Sequence, residues 1–229
     1  MTWGTPTTIS ADTDVMTDGN LVWAYNFNFS EPGTSPTLNG VTFQGAPYNA
    51  DLSANLTFGN LGIFYGQNAA FGSALSPYVD LSSSYQTLLI SAAYWTGGPG
   101  TVTFNNLTIG QEYLLQLWVN DSRAGLLTNL IGRTDVVDDN LGHSSSPVAY
   151  NDGVTTAGGT TGQYVTGRFT ATASTQLVNV SAGPGGDSGT MHTAQINGMQ
   201  LRAVPEPAAW GSVLGFGLLI LAATRRRRC

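Results

Sequence analysis

Eight consecutive residues, Tyr113-Leu114-Leu115-Gln116-Leu117-Trp118-Val119-Asn120, constrain this chain more than any other stretch. In a β-strand successive side chains point to opposite faces. Tyr113, Leu115, Leu117 and Val119 therefore share one face, and Leu114, Gln116, Trp118 and Asn120 share the other. The first face reads as core. Period-2 runs bounded by Gly, Pro, Asn and Asp recur between Leu21 and Leu201, and no long 3.6-residue apolar pattern interrupts them. The predicted strands are Leu21 to Phe29, Val41 to Phe43, Thr87 to Tyr94, Thr101 to Leu107, Tyr113 to Asn120, Tyr164 to Ala171, Gln176 to Ser181 and Ala194 to Ala203, with a further edge strand in residues 1–20. That number of strands suits an antiparallel β-sandwich. Composition agrees, since only 10% of the residues are charged and lysine is absent, which leaves few ion pairs to support helices. Residues 124–161 form the longest irregular stretch, polar and rich in glycine, of a length that usually covers a site or moves.

The charge is unevenly placed. Residues 1–203 carry four arginines (Arg123, Arg133, Arg168 and Arg202) against thirteen acids, a net charge near −9, and the other four arginines are Arg225 to Arg228. Affinity for nucleic acid comes largely from neutralising phosphates with Lys and Arg, so this body excludes DNA and RNA as partners. The only cysteine is Cys229, the last residue, which leaves no internal disulfide framework and no cysteine-based metal site.

The chain divides into a β domain over residues 1–203 and a tail over 204–229. The tail opens with Val204-Pro205-Glu206-Pro207, where two prolines fix φ and deny the chain helix. Residues 208–224 follow, seventeen uncharged and mostly apolar residues, which as a helix would be about 26 Å long and just span a bilayer core. Trp210 suits the outer interface, and Arg225, Arg226, Arg227 and Arg228 stay cytoplasmic by the positive-inside preference. The body then lies outside. Met1-Thr2-Trp3-Gly4-Thr5-Pro6-Thr7-Thr8 has neither the basic nor the apolar region of a signal peptide, so export implies a start further upstream.

These three parts in order, V-P-E-P, a short apolar span and a terminal arginine cluster, resemble the PEP-CTERM sorting domain of Gram-negative and related bacteria. The resemblance covers about a tenth of the chain. It implies recognition of Val204, Pro205, Glu206 and Pro207 by a membrane exosortase, a stop signal at Arg225 to Arg228, removal of the span, and release or attachment at the cell surface. It also implies an association with exopolysaccharide and biofilm. In the body, the segments 101–123, 163–169 and 196–202 resemble galactose-binding-like jelly-roll domains in strand order and texture.

A carbohydrate platform needs exposed aromatic rings flanked by polar groups that fix hydroxyls. Trp95, Trp118, Asn120, Asp121 and Arg123 are the candidate set for extracellular polysaccharide, with Trp95, at a strand end before a Gly-rich turn, expected to be exposed and Trp118 more often core. Calcium takes several oxygens from clustered carboxylates. Asp12, Asp14 and Asp18 form one candidate cluster and Asp135, Asp138 and Asp139 another, although neither matches an EF-hand loop and solvated loop acids explain both. Gly186-Asp187-Ser188-Gly189 reproduces the surroundings of a trypsin-like nucleophile. A triad also needs a base and an orienting acid, and the only upstream histidine, His143, lies 45 residues before Ser188 with no accompanying motif; a flexible turn is the better reading. His143 and His192 alone suggest no transition-metal site. A glycoside hydrolase would need two converging carboxylic acids, yet Glu31 and Glu112 are the only glutamates of the body. The sequence therefore points to an all-β jelly-roll-like sandwich followed by a transmembrane helix. The protein is read as exported, exosortase-processed, surface-located and non-catalytic, with a polysaccharide-binding module as the alternative.

Overall fold

A computed structural model describes residues 1–27, 34–46, 51–59, 63–66, 77–95, 99–121, 134–150, 161–183 and 194–205. Its elements in chain order are β1 (Thr2–Trp3), β2 (Thr7–Thr8), β3 (Asn20–Asn26), β4 (Thr37–Leu38), β5 (Val41–Thr42), β6 (Gln44–Gly45), β7 (Leu56–Gly59), β8 (Ile63–Gly66), α1 (Ser83–Leu89), β9 (Ser91–Trp95), β10 (Gly100–Phe104), β11 (Glu112–Val119), β12 (Thr134–Asp138), β13 (Val148–Ala149), β14 (Gln163–Thr170), β15 (Gln176–Ala182), β16 (Ala194–Ile196) and β17 (Gly198–Ala203). Among the described residues, a seven-stranded sheet has the order β1-β14-β11-β17-β3-β6, with β2 also on β14. A five-stranded sheet runs β13-β12-β15-β10-β7, and β16-β9-β8 forms a third, smaller one. The chain is mostly β, and the two larger sheets pack as a sandwich.

The alternation in β11 works as the sequence predicts on one face. Tyr113, Leu115, Leu117 and Val119 are buried with Trp23, Tyr25, Val165, Phe169, Met199 and Leu201 of the same sheet against Val102, Phe104, Val178 and Val180 of the other. Each such side chain contributes roughly 1.5–3 kcal/mol when fully buried. The opposite face is not solvated. Ala24 and Trp118 lie under Ile9, Val15, Leu38, Val41, Phe43, Tyr85, Leu88 and Leu89, a second core between the large sheet and a covering layer. An Asn39-Gly40 hairpin between β4 and β5 helps to build that layer, with φ of 46° and 77° at the two turn residues. Both values are left-handed, as the tight turn that matches strand twist requires.

Three sequence expectations are corrected. Thr87 does not begin a strand, because Ser83–Leu89 is helical and the strand starts at Ser91. Ser82 caps the helix by accepting the Tyr85 N–H at 3.1 Å, and Tyr85, Leu88 and Leu89 sit at the i, i+3, i+4 spacing of one helical face, which is the face buried in the second core. The run 194–203 is two strands in different sheets, parted at Asn197. The stretch 124–161 is not wholly irregular, since it supplies β12 and β13.

Candidate functional site

Of the five carbohydrate candidates, Arg123 lies outside the described residues, and the other four are buried. Trp95, expected at an exposed strand end, is instead a core residue, its indole N–H donating to the Gly59 carbonyl at 3.2 Å. The correction follows from Gly100. A Cβ built there would lie 2.0 Å from Trp95 Cδ2, so the indole occupies the space that this glycine leaves open. Trp118 packs edge-on against Phe43 at 5.3 Å and donates to the Tyr85 hydroxyl at 2.9 Å. Neither ring presents a face to solvent, so the platform is not assembled.

Asn120 and Asp121 instead join Asp135 in a buried network at the end of the sandwich where β11 finishes. The Asn120 N–H donates to Asn197 Oδ1 at 2.6 Å, its own Oδ1 accepts from the Gly162 N–H at 2.8 Å, and its carbonyl accepts from Gln195 Nε2 at 2.7 Å. The Asp121 N–H donates to the Tyr150 carbonyl at 3.0 Å. Asp135 accepts from the Tyr150 hydroxyl at 2.8 Å and the Gln195 N–H at 2.9 Å. Buried polar groups require such partners, and these join β11, β12 and β16.

The acids proposed for calcium do not converge, and among the described residues no three of His, Cys, Asp or Glu are grouped to hold a metal. Asp12 accepts from the Ser82 hydroxyl at 2.6 Å. Asp14 turns back on its own loop, accepting from the N–H groups of Ser10 at 2.6 Å and Ala11 at 3.0 Å; with burial, its charge also pushes the Tyr85 hydroxyl pKa up. Asp18 accepts through its carbonyl from Arg202 Nε at 2.8 Å. Asp138 accepts from Asn179 Nδ2 at 2.9 Å. Asp139 closes the turn after β12, accepting from the N–H groups of Leu141 at 2.9 Å and His143 at 3.1 Å, from the His143 ring at 2.8 Å, and from the Met1 amino group. Burial raises its pKa, but these donors outweigh it and hold the carboxyl well below the usual range. Residues 186–189, Glu31 and His192 lie outside the described residues.

The site with the most developed geometry is where the domain ends. Strand β17 lies between β11 and β3, and its Arg202 projects onto the outer face beneath the loop 14–19. There the Arg202 Nε donates to the Asp18 carbonyl at 2.8 Å, and Nη2 donates to those of Thr17 at 2.9 Å and Gly19 at 2.8 Å. Gln200 and Gln116, directly opposite each other on β17 and β11, extend the clamp. Gln116 Nε2 donates to the Asp14 carbonyl at 2.7 Å and its Oε1 accepts from the Met16 N–H at 3.0 Å. Gln200 Nε2 donates to Gln116 Oε1 at 2.8 Å and to the Met16 carbonyl at 3.1 Å. Burial lowers the Arg202 pKa and the charge of Asp18 partly offsets this; the guanidinium stays charged in any case. Gly19, at φ +75° with Ala203 O only 2.5 Å from where a Cβ would stand, lets the loop cross β17 at this point.

Val204, the first residue of the Val204-Pro205-Glu206-Pro207 segment, is docked on the domain. Its N–H donates to the Glu112 carbonyl at 2.9 Å, and its carbonyl accepts from Gln111 Nε2 at 2.5 Å. Pro205 is the last described residue. Glu206, Pro207, the apolar stretch 208–224 and Arg225 to Arg228 lie outside the described residues; within those described, no helix is long and apolar enough to cross a membrane. Sequence reasoning did not single out Gln111, Gln116, Gln200 or the clamp role of Arg202. A signal for the last was present, because a lone arginine inside a strand needs acceptors nearby.

No known family model matches the chain, and no curated protein is detectably similar to it in sequence. Solved structures do resemble it. The crystal structure of the plant receptor-like kinase ANX1 superposes with a TM-score of 0.54 at 11% identity, covering 81% of this chain and 49% of that one. The extracellular domain of ANXUR2 from Arabidopsis thaliana gives 0.51 at 13% identity, again covering 81% and 49%. That of ANXUR1 from Arabidopsis thaliana gives 0.50 at 12%, covering 82% and 51%. The chain thus spans about half the length of the solved chains it matches, and at these identities the likeness is one of fold.

Proposed function

We propose that this chain is an exported cell-surface or matrix protein, a non-catalytic β-sandwich of jelly-roll type tethered by a transmembrane helix over 208–224 until an exosortase acts at Val204-Pro205-Glu206-Pro207. One observation carries the reading: the last central strand ends at Ala203 and Val204 is still hydrogen-bonded to the domain. A folded unit therefore leads directly into the sorting segment, as a cargo domain with a terminal address should. The two prolines of Val204-Pro205-Glu206-Pro207 fix φ and disfavour helix, which suits a segment that a membrane enzyme could grip. The fold shared with plant receptor extracellular domains is compatible with service outside a cell. Association with exopolysaccharide or biofilm follows from the sorting-domain resemblance. Recognition of polysaccharide through Trp95 and Trp118 is not carried forward, because both rings are buried.

The test is replacement of Pro205, Glu206 and Pro207 by alanine in a host that has an exosortase. The full-length protein should then accumulate in the membrane fraction while the parent chain is trimmed and leaves it. Equal trimming of both would overturn the reading.

A further inference from the structure

Strand directions place four features at one end of the sandwich. Strand β17 runs outward to Ala203, whose partners across the sheet are Tyr113 near the start of β11 and Asn20 at the start of β3. The turn 105–111 leads into β11 at the same end. Strand β12 runs the same way and ends at Asp138, opposite Asn179 in the middle of β15, so the turn 139–143 points towards the start of β15, where Gln176 pairs with the last residue of β10. This end therefore holds the chain exit, both turn tips and the start of β3.

Of the five large apolar side chains exposed among the described residues, it holds three. Leu141 is 72% exposed at the tip of the turn 139–143 and Ile109 is 66% exposed at the tip of the turn 105–111. Leu21, one residue into β3, is 43% exposed. Both tips are well formed. Gly110, at φ +86°, donates to the Ala171 carbonyl at 2.8 Å, and Asp139 binds the N–H groups on either side of the second tip. Singly exposed aliphatic side chains are common on folded proteins, but at ordered turn tips they gain by transfer out of water once an apolar phase is held against them.

We infer that the exit end of the sandwich is a bilayer-contacting surface, with Ile109 and Leu141 set into the lipid interface while the precursor is tethered. The occupant follows from the length of chain beyond the fold. Val204 is fixed to the domain, and only Pro205, Glu206 and Pro207 separate it from the apolar stretch that starts at Ala208. Three residues reach at most about 11 Å. The exit end is thus held against the membrane whichever way the domain leans, and its protruding groups are aliphatic. The charges there are Asp18 and Asp51, both exposed, the Arg168–Glu112 pair at 3.2 Å, the exposed His143 ring beside Leu141, and Asp139, which is enclosed in its turn. With a body charge near −9, the favoured surface is zwitterionic lipid. The contact would hold the sorting motif at a fixed height and angle for a membrane-embedded enzyme.

This inference rests on reading 208–224 as a membrane span, and the test separates the two. The full chain carrying Cys229→Ser receives a single cysteine by Ile109→Cys, Leu141→Cys or, at the opposite end, Thr8→Cys, and each is labelled with an environment-sensitive fluorophore. Each protein is then reconstituted into phosphatidylcholine vesicles. Labels at 109 and 141 should shift to the blue and lose quenching by external iodide, whereas the label at 8 should stay fully quenchable. Vesicle-bound protein whose labels at 109 and 141 quench as readily as that at 8 would overturn the surface while leaving the span intact. Protein that does not float with the vesicles would overturn the span, and the surface with it.

Discussion

Arg202→Ala is the most informative perturbation of the clamp over the large sheet. The guanidinium donates to three main-chain carbonyls, those of Thr17, Asp18 and Gly19, at 2.8–2.9 Å, and Nη1 lies 3.3 Å from Gln200 Oε1. A hydrogen bond from a charged donor contributes roughly 1.5–3 kcal/mol net when its partner is otherwise left dry. Thr17 and Asp18 are exposed and their carbonyls can regain water, so the three bonds do not sum in full. The loss should be about 2–4 kcal/mol, most of it from the buried Gln200–Gln116 pair and from Gly19. With a urea slope near 2 kcal/mol per molar, the midpoint should fall by about 1–2 M. The assay is urea unfolding of the full chain in detergent, followed by circular dichroism. Arg202→Lys should recover less than half of the loss, because an ammonium lacks the planar fork that reaches several acceptors at once. An Arg202→Ala midpoint within the error of the parent, or full recovery by lysine, would refute the clamp.

Three further outcomes follow from the same geometry. Gly100→Ala should destabilise by about 2 kcal/mol or more, as overpacking does, because its Cβ would stand 2.0 Å from the Trp95 ring; an unchanged urea midpoint would show that the indole can move aside. Tyr85→Phe should cost about 1–3 kcal/mol by leaving the buried Trp118 N–H without its acceptor, and thermal unfolding beside Trp118→Phe in the Tyr85→Phe background would show whether the two losses are one interaction. In a chain that begins at Met1, burial raises the folded pKa of Asp139, but the Met1 amino group, the His143 ring and the N–H groups of Leu141 and His143 outweigh it and leave the pKa depressed. The associated stability is complete above the ordinary carboxylate range near ~4 and is lost as pH falls through it towards the lower folded value. Asp139→Asn should therefore flatten the acid limb of a stability–pH profile below about pH 4; an acid limb as steep as the parent's would contradict the assignment.

The alternation of Tyr113 to Val119 made the inner face of β11 legible, because one buried face is all that a period of two can report. The outer face was not legible from the strand itself. Trp118 read as more often core and Gln116 and Asn120 only as polar positions of the other face, and nothing local announced that the loop 9–19, the β4–β5 hairpin and α1 cover that face. Burial of a polar residue under a distant segment leaves no local pattern. The short helix was missed for a related reason, since Tyr85, Leu88 and Leu89 make barely two turns and the following Ser91–Trp95 run is a strand. Trp95 was misplaced because the run Thr96-Gly97-Gly98-Pro99-Gly100 after it read as an exposed strand end, whereas Gly100 opens β10 and leaves the space that the indole fills. Asn120, Asp121 and Asp135 were each singled out for ligands, and the structure brings them together for the opposite purpose, satisfying one another's surroundings inside the domain.

The measurement that bears most directly on the account is intact mass of the protein recovered from the cell surface or medium of an exosortase-containing host. The account predicts a body that ends at or near Val204 to Pro207, without the apolar stretch and without Arg225 to Arg228, and a longer, membrane-bound form when the exosortase is absent. Recovery of surface protein that still carries Arg225 to Arg228, or trimming that persists without the exosortase, would contradict it.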